Sequence, residues 1–116
     1  MSRHSWAEIG LEQMNPLVGR KVVHASRLTI ARLELKEGAS VPEHHHENEQ
    51  VSLVESGRLR FVLAGEEIEV GAGELLAIPP NAPHSVVALE DSVAVDVFTP
   101  LREDWIRGDD AYLRGK

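Results

Sequence analysis

The chain has 116 residues, a formal net charge of −7 and no cysteine. That length suits one compact domain. The acidic balance argues against binding nucleic acid by phosphate neutralisation, and the missing thiols exclude disulfides and thiolate-held metals. Apolar residues make up 42% of the chain but aromatics only 4%, so the core must be built from Val, Leu, Ile and Ala. No apolar run approaches the roughly 18 residues of a membrane span. Residues 1–15 lack the apolar stretch of a signal peptide. The expectation is a cytoplasmic protein that touches neither membrane nor nucleic acid.

In chain order, residues 1–20 read as an N-terminal arm, irregular or exchanged with a second copy, and 21–105 as the domain. The run 27–35 alternates, with Leu28 and Ile30 on one side and Thr29, Ala31, Leu33 and Leu35 toward the other. Residues 50–55 and 58–64 are joined through Ser56-Gly57, a hairpin signal. In the second of these, Leu59, Phe61 and Leu63 share a face. Residues 66–80 give two more short strands around a glycine turn, and the runs from His84 and Ser92 close the series. In the last run Val93, Val95 and Val97 share one face, and Ala94, Asp96 and Phe98 the other. The conformation of the tail, 106–116, stays open, with its charges expected to face solvent. The class is all-β, about eight to ten short strands in a small barrel or sandwich. A chain this small and free of staples is expected to be a homodimer.

Three consecutive histidines interrupt this pattern. On a strand, His44 and His46 point one way and His45 the other. Gln50 falls in phase with the pair, and His84 follows the stiff turn of Pro79, Pro80, Asn81 and Pro83. Imidazole suits most first-row divalent ions. One such ion (Ni, Mn, Fe, Zn or Co) held by His44, His46, His84 and Gln50 is the reading, with Glu49 as the alternative to Gln50.

The spacing resembles that of a single-domain cupin. Gly38 is followed by five residues, His44-His45-His46, three residues, Gln50, six residues and Gly57. The second motif runs Gly73, five residues, Pro79-Pro80-Asn81, two residues, His84, three residues and Ala88. Gln50 replaces the family's usual glutamate, and Asn81 a glycine, which Asn can replace because it tolerates the left-handed conformation. Three histidines and a glutamine are neutral, so the ion would keep its full charge and polarise oxygen more strongly.

Asp96 breaks an apolar strand, and a buried carboxylate is costly unless paired or used. Arg32 and Arg60 are possible partners for it, and Arg60 is also a candidate for the cavity. Arg102, six residues on, can turn back to the same cavity and grip a carboxylate in two parallel bonds. At this point the chain resembles the unsaturated-uronate isomerases, the KdgF family of pectin degradation. The resemblance implies a catalytic set of Asp96, Phe98 and Arg102. It also implies a small sugar-acid substrate: a 4,5-unsaturated monouronate, from pectin or alginate, opened to linear 5-keto-4-deoxyuronate. A small-molecule dioxygenase and a metabolite-binding cupin without turnover are the alternatives.

Overall fold

The structure, a computed structural model, describes residues 1–115. The strands are β1 (Glu12–Asn15), β2 (Val18–His24), β3 (Thr29–Leu35), β4 (Ser40–His44), β5 (Glu49–Ser56), β6 (Arg58–Leu63), β7 (Glu66–Gly71), β8 (Leu75–Ile78), β9 (His84–Ala88) and β10 (Ser92–Thr99). They form two antiparallel sheets, ordered β1-β2-β3-β10-β5-β8 and β4-β9-β6-β7. The all-β expectation holds. Of barrel and sandwich, the chain is a sandwich and the sheets do not close into a barrel. β1 and β2 pair within the chain, so the sequence between Glu12 and His24 is part of the larger sheet.

Alternation explains which side of each strand is buried. β3 hides Thr29, Ala31, Leu33 and Leu35, and β10 hides Ser92, Ala94, Asp96 and Phe98. Register stacks these inward residues into rows across β3, β10 and β5. Leu33, Ala94 and Val54 make one row, Ala31, Asp96 and Ser52 the next, and Thr29, Phe98 and Gln50 the third. The interior therefore changes character along the strands, from aliphatic to polar. The other sheet contributes Val41, Leu59, Phe61 and Val70. Burying each such side chain favours folding by about 1.5–3 kcal/mol.

Gly57 turns the β5–β6 connection at φ +83°, and a Cβ there would collide with the Ser92 hydroxyl and the Asp91 carbonyl oxygen. After β10 the chain forms a one-turn helix α1 (Glu103–Ile106) and a 3-10 turn (Ala111–Leu113). This segment packs back on the body. Trp105, Asp110 and Leu113 are buried, so the tail's charges do not all face solvent as expected. Among the described residues, no helix is long and apolar enough to cross a membrane.

Candidate metal centre

The polar end of the interior is where the histidines meet. His44 ends β4 and His84 opens β9, and the two are cross-strand partners. His46 lies beyond the end of β4, so the two histidines do not sit on one continuous strand as expected. The loop is fixed instead by its main chain, because the Asn81 N–H donates to the His46 carbonyl at 2.8 Å. Asn81 holds φ +63°, the left-handed turn expected of it. The ring centroids of His44, His46 and His84 are 4.2 to 5.7 Å apart. One ring nitrogen of each lies within 4.8 Å of the others. His45 is exposed.

Each of the three rings is oriented in the same way. Nδ1 of His44 donates to the Pro42 carbonyl at 2.8 Å, that of His46 to Asn48 at 3.0 Å, and that of His84 to Ala82 at 2.8 Å. A carbonyl only accepts, so Nδ1 carries the proton and Nε2 presents a lone pair. Burial pushes His44 and His46 down to about 4, helped by neighbouring histidines and, at His46 above all, by the Arg102 charge. His84 is lowered too, by burial first. The rings are neutral near pH 7, the state a metal ligand requires.

Two contacts test whether these residues fit a cation. Nε2 of His84 is buried without a hydrogen-bond partner. Nε2 of His46 faces Gln50 Oε1 at 3.1 Å, while the other end of that amide donates to Ser52 Oγ at 2.9 Å. Two lone pairs so placed repel, and an orphaned buried acceptor costs about 1–3 kcal/mol. A divalent ion removes both penalties, so the set fits one. Glu49 is exposed, whereas Gln50 is 5% exposed and faces the interior.

The same cavity is lined by His44, Gln50, His84, Asp96, Phe98 and Arg102, and closed by Trp105, Tyr112 and Leu113. Asp96 is pushed up to about 6 by burial, against the opposing pull of the Ser52 hydroxyl and the Arg102 charge. Its Oδ1 is buried without a partner. Arg32 pairs with Glu34 and Glu55, and Arg60 with Glu67, so neither is Asp96's partner. Arg102 is 1% exposed. Its Nε and Nη2 bind both oxygens of Asp104 at 3.0 and 2.9 Å, and its guanidinium lies 4.7 Å from the Phe98 ring centre and 4.2 Å from that of Trp105. Phe98 also meets His46 edge to face at 5.7 Å.

Sequence reasoning missed Asn48, Ser52, Asp104, Trp105 and Tyr112. Asn48 Nδ2 donates to the carbonyls of Pro100 and Leu101, tying the histidine loop to the turn that delivers Arg102. Ser52 was findable, lying in phase with Gln50 on one strand. No periodicity marks the other three.

The cupin domain family profile matches residues 31–99, more than half of the chain. KdgF from Halomonas sp. superposes with a TM-score of 0.85 and 30% identity, covering 90% of this chain and 98% of that one. An RmlC-like cupin from Shewanella frigidimarina NCIMB 400 follows at 0.83 and 25%, covering 90% and 96%. The acireductone dioxygenase of Bacillus subtilis strain 168 is 32% identical over 71 residues, 55% of this chain and 39% of that protein. The chain thus spans about two fifths of the length of the curated relatives it matches. It belongs to the cupin family, and within that family it closely resembles KdgF.

Proposed function

We propose that the protein is a metal-dependent sugar-acid isomerase that opens 4,5-unsaturated monouronates from pectin or alginate to linear 5-keto-4-deoxyuronate. The observation that carries this reading is one cavity shared by the neutral His44–His84–Gln50 group and by Asp96, Phe98 and Arg102. Resemblance to KdgF over nearly the whole of both chains supports it.

His44, His46, His84 and Gln50 would hold the divalent ion. When bound, that ion supplies a Lewis acid that stabilises negative charge on a substrate oxygen. Arg102, always charged, orients the sugar carboxylate. Asp96 in its ionised form accepts the proton of the anomeric hydroxyl as the C1–O5 bond breaks. The electron pair goes to the ring oxygen, leaving an aldehyde at C1 and an enolate across C4 and C5. Asp96 then returns the proton to C4, and the enolate collapses to the 5-ketone. Burial raises the Asp96 carboxyl from its ordinary value toward the range in which a group gives and takes a proton near neutrality. Phe98 covers one side of the sugar and keeps water away from the enolate.

The test follows the absorbance of the conjugated double bond with metal-loaded protein, metal-stripped protein and Asp96→Ala. Loss accelerated only by the loaded wild type is expected, and equal loss in all three rejects the assignment. The likeness to acireductone dioxygenase favours a second reading, a dioxygenase acting on a small organic substrate. Oxygen uptake by the iron-loaded protein separates the two.

A cytoplasmic homodimer completes the proposal. The outward face of the larger sheet carries the half-buried Ile30, Val51, Leu53, Val95 and Val97, an apolar surface suited to a second copy.

A further inference from the structure

The cavity that holds the site measures only about 40 Å³. That is room for a water or two, whereas pockets enclosing a small organic molecule reach about 300 Å³ or more. A sugar acid therefore cannot be received until something moves. The C-terminal segment covers the site. Tyr112 stacks on His44 with ring centres 4.6 Å apart, and Leu113 is 5% exposed against the same cavity. The segment's remaining ties are polar. Asn15 Nδ2 donates to the Leu113 carbonyl at 2.9 Å, Arg20 pairs with Asp110 at 2.9 Å, and Arg114 with Glu12 at 3.6 Å. Gly108, at φ +84°, begins it and offers a hinge.

The Tyr112 hydroxyl accepts two bonds, from Arg102 Nη2 at 2.8 Å and from Trp105 Nε1 at 3.1 Å. A cationic N–H and an indole N–H converging on one oxygen form an anion-binding pair. We propose that residues 110–114 are a removable cover, and that the Tyr112 hydroxyl stands in the subsite of the substrate's carboxylate. As the cover lifts, Arg102 and Trp105 lose their common acceptor, and an incoming carboxylate oxygen replaces it. Trp105 is thereby a substrate-binding residue. The identity of the substrate rests on the isomerase reading above. The cover and its carboxylate subsite do not.

The chain has no cysteine, so two introduced thiols are unique. In the Glu12→Cys, Arg114→Cys protein, a cleavable bifunctional thiol reagent ties the cover shut. Cobalt is loaded first, and pyridine-2,6-dicarboxylate, a planar dianion of sugar size, is then used to extract it. Bridging is expected to slow extraction by about tenfold or more, and cleaving the linker to restore it. Equal extraction rates in the bridged and cleaved protein overturn the cover.

Tyr112→Phe tests the subsite separately. Removing the hydroxyl leaves one N–H of Arg102 and the indole N–H of Trp105 without their acceptor, and supplying a new one should tighten galacturonate binding by about tenfold, read by calorimetry. Unchanged or weaker binding overturns the carboxylate subsite. Turnover of the unsaturated uronate separates the two readings. Gated extraction with no turnover in either form leaves the cover standing and removes the isomerase. Measurable turnover that is equal in the bridged and cleaved forms removes the cover.

Discussion

Asp96 and Arg102 line one cavity, yet Arg102 commits its fork to Asp104 and leaves Asp96 without an ion pair. Burial raises the pKa of Asp96, the Arg102 charge opposing it only in part, and a pH dependence of folding follows. With a folded value of about 6 against an ordinary 3.8, the native state holds a proton that the unfolded chain releases. The Asp96 contribution to the stability of the metal-free protein then falls as pH rises from about 4 to about 6 and stays lower above. The lowered His44 and His46 contribute in the opposite sense over the same interval and outweigh it. Asp96→Asn should be more stable than wild type above pH 6, by on the order of 3 kcal/mol, and equal to it below pH 4. The difference between urea melts of Asp96→Asn and of wild type across that range checks the sign, since the histidines are common to both. Gln50→Glu should hold a divalent ion more tightly, because it adds a negative charge to a neutral ligand set. It should also weaken galacturonate binding to the loaded protein, through the like charge it places beside the sugar. Competition with a metallochromic chelator and calorimetry measure the two effects.

Elements bring these residues together, and here the sequence could be read unevenly. Period-two alternation put Ala94, Asp96 and Phe98 on one face of β10, and the structure shows that face to be the buried one. The glycine and histidine spacing was enough to foresee His44, His46 and His84 meeting, because it resembles the two cupin motifs and the stiff turn at 79–83 aims His84. The pairing of β4 with β9 brings them together across forty residues. The tail gave no such signal. Tyr112 reaches His44 and Arg102 through contacts distant in sequence from a 3-10 turn too short to show a period. Asp110 looks like a solvent charge until Arg20, ninety residues away, is seen beside it. One glycine was legible and can be tested. Gly57→Ala forces a side chain into the left-handed region and against Ser92 and Asp91. A loss of about 2 kcal/mol or more is expected in denaturant melts, where Gly10→Ala, with open space around its Cβ, should change little.

At the scale of the whole molecule, the two sheets are held by an aliphatic core at one end and by a polar cluster at the other. The polar end is costly without its ion, so metal should stabilise the fold directly. An ion in hundredfold excess over its dissociation constant adds about 2.7 kcal/mol. For a domain of this size that is a rise in Tm of about 10 °C or more. Calorimetric scans with and without a chelator check it, and coincident melting would show that the histidines hold nothing.

The three imidazoles are aimed by carbonyl groups of the main chain, at Pro42, Asn48 and Ala82, and not by neighbouring side chains. Every amino acid carries that acceptor. The residues around the centre can thus be exchanged through evolution without turning the rings, provided the backbone keeps its course. A lineage can in this way remodel the walls for a new substrate while inheriting the same ion-holding geometry unchanged.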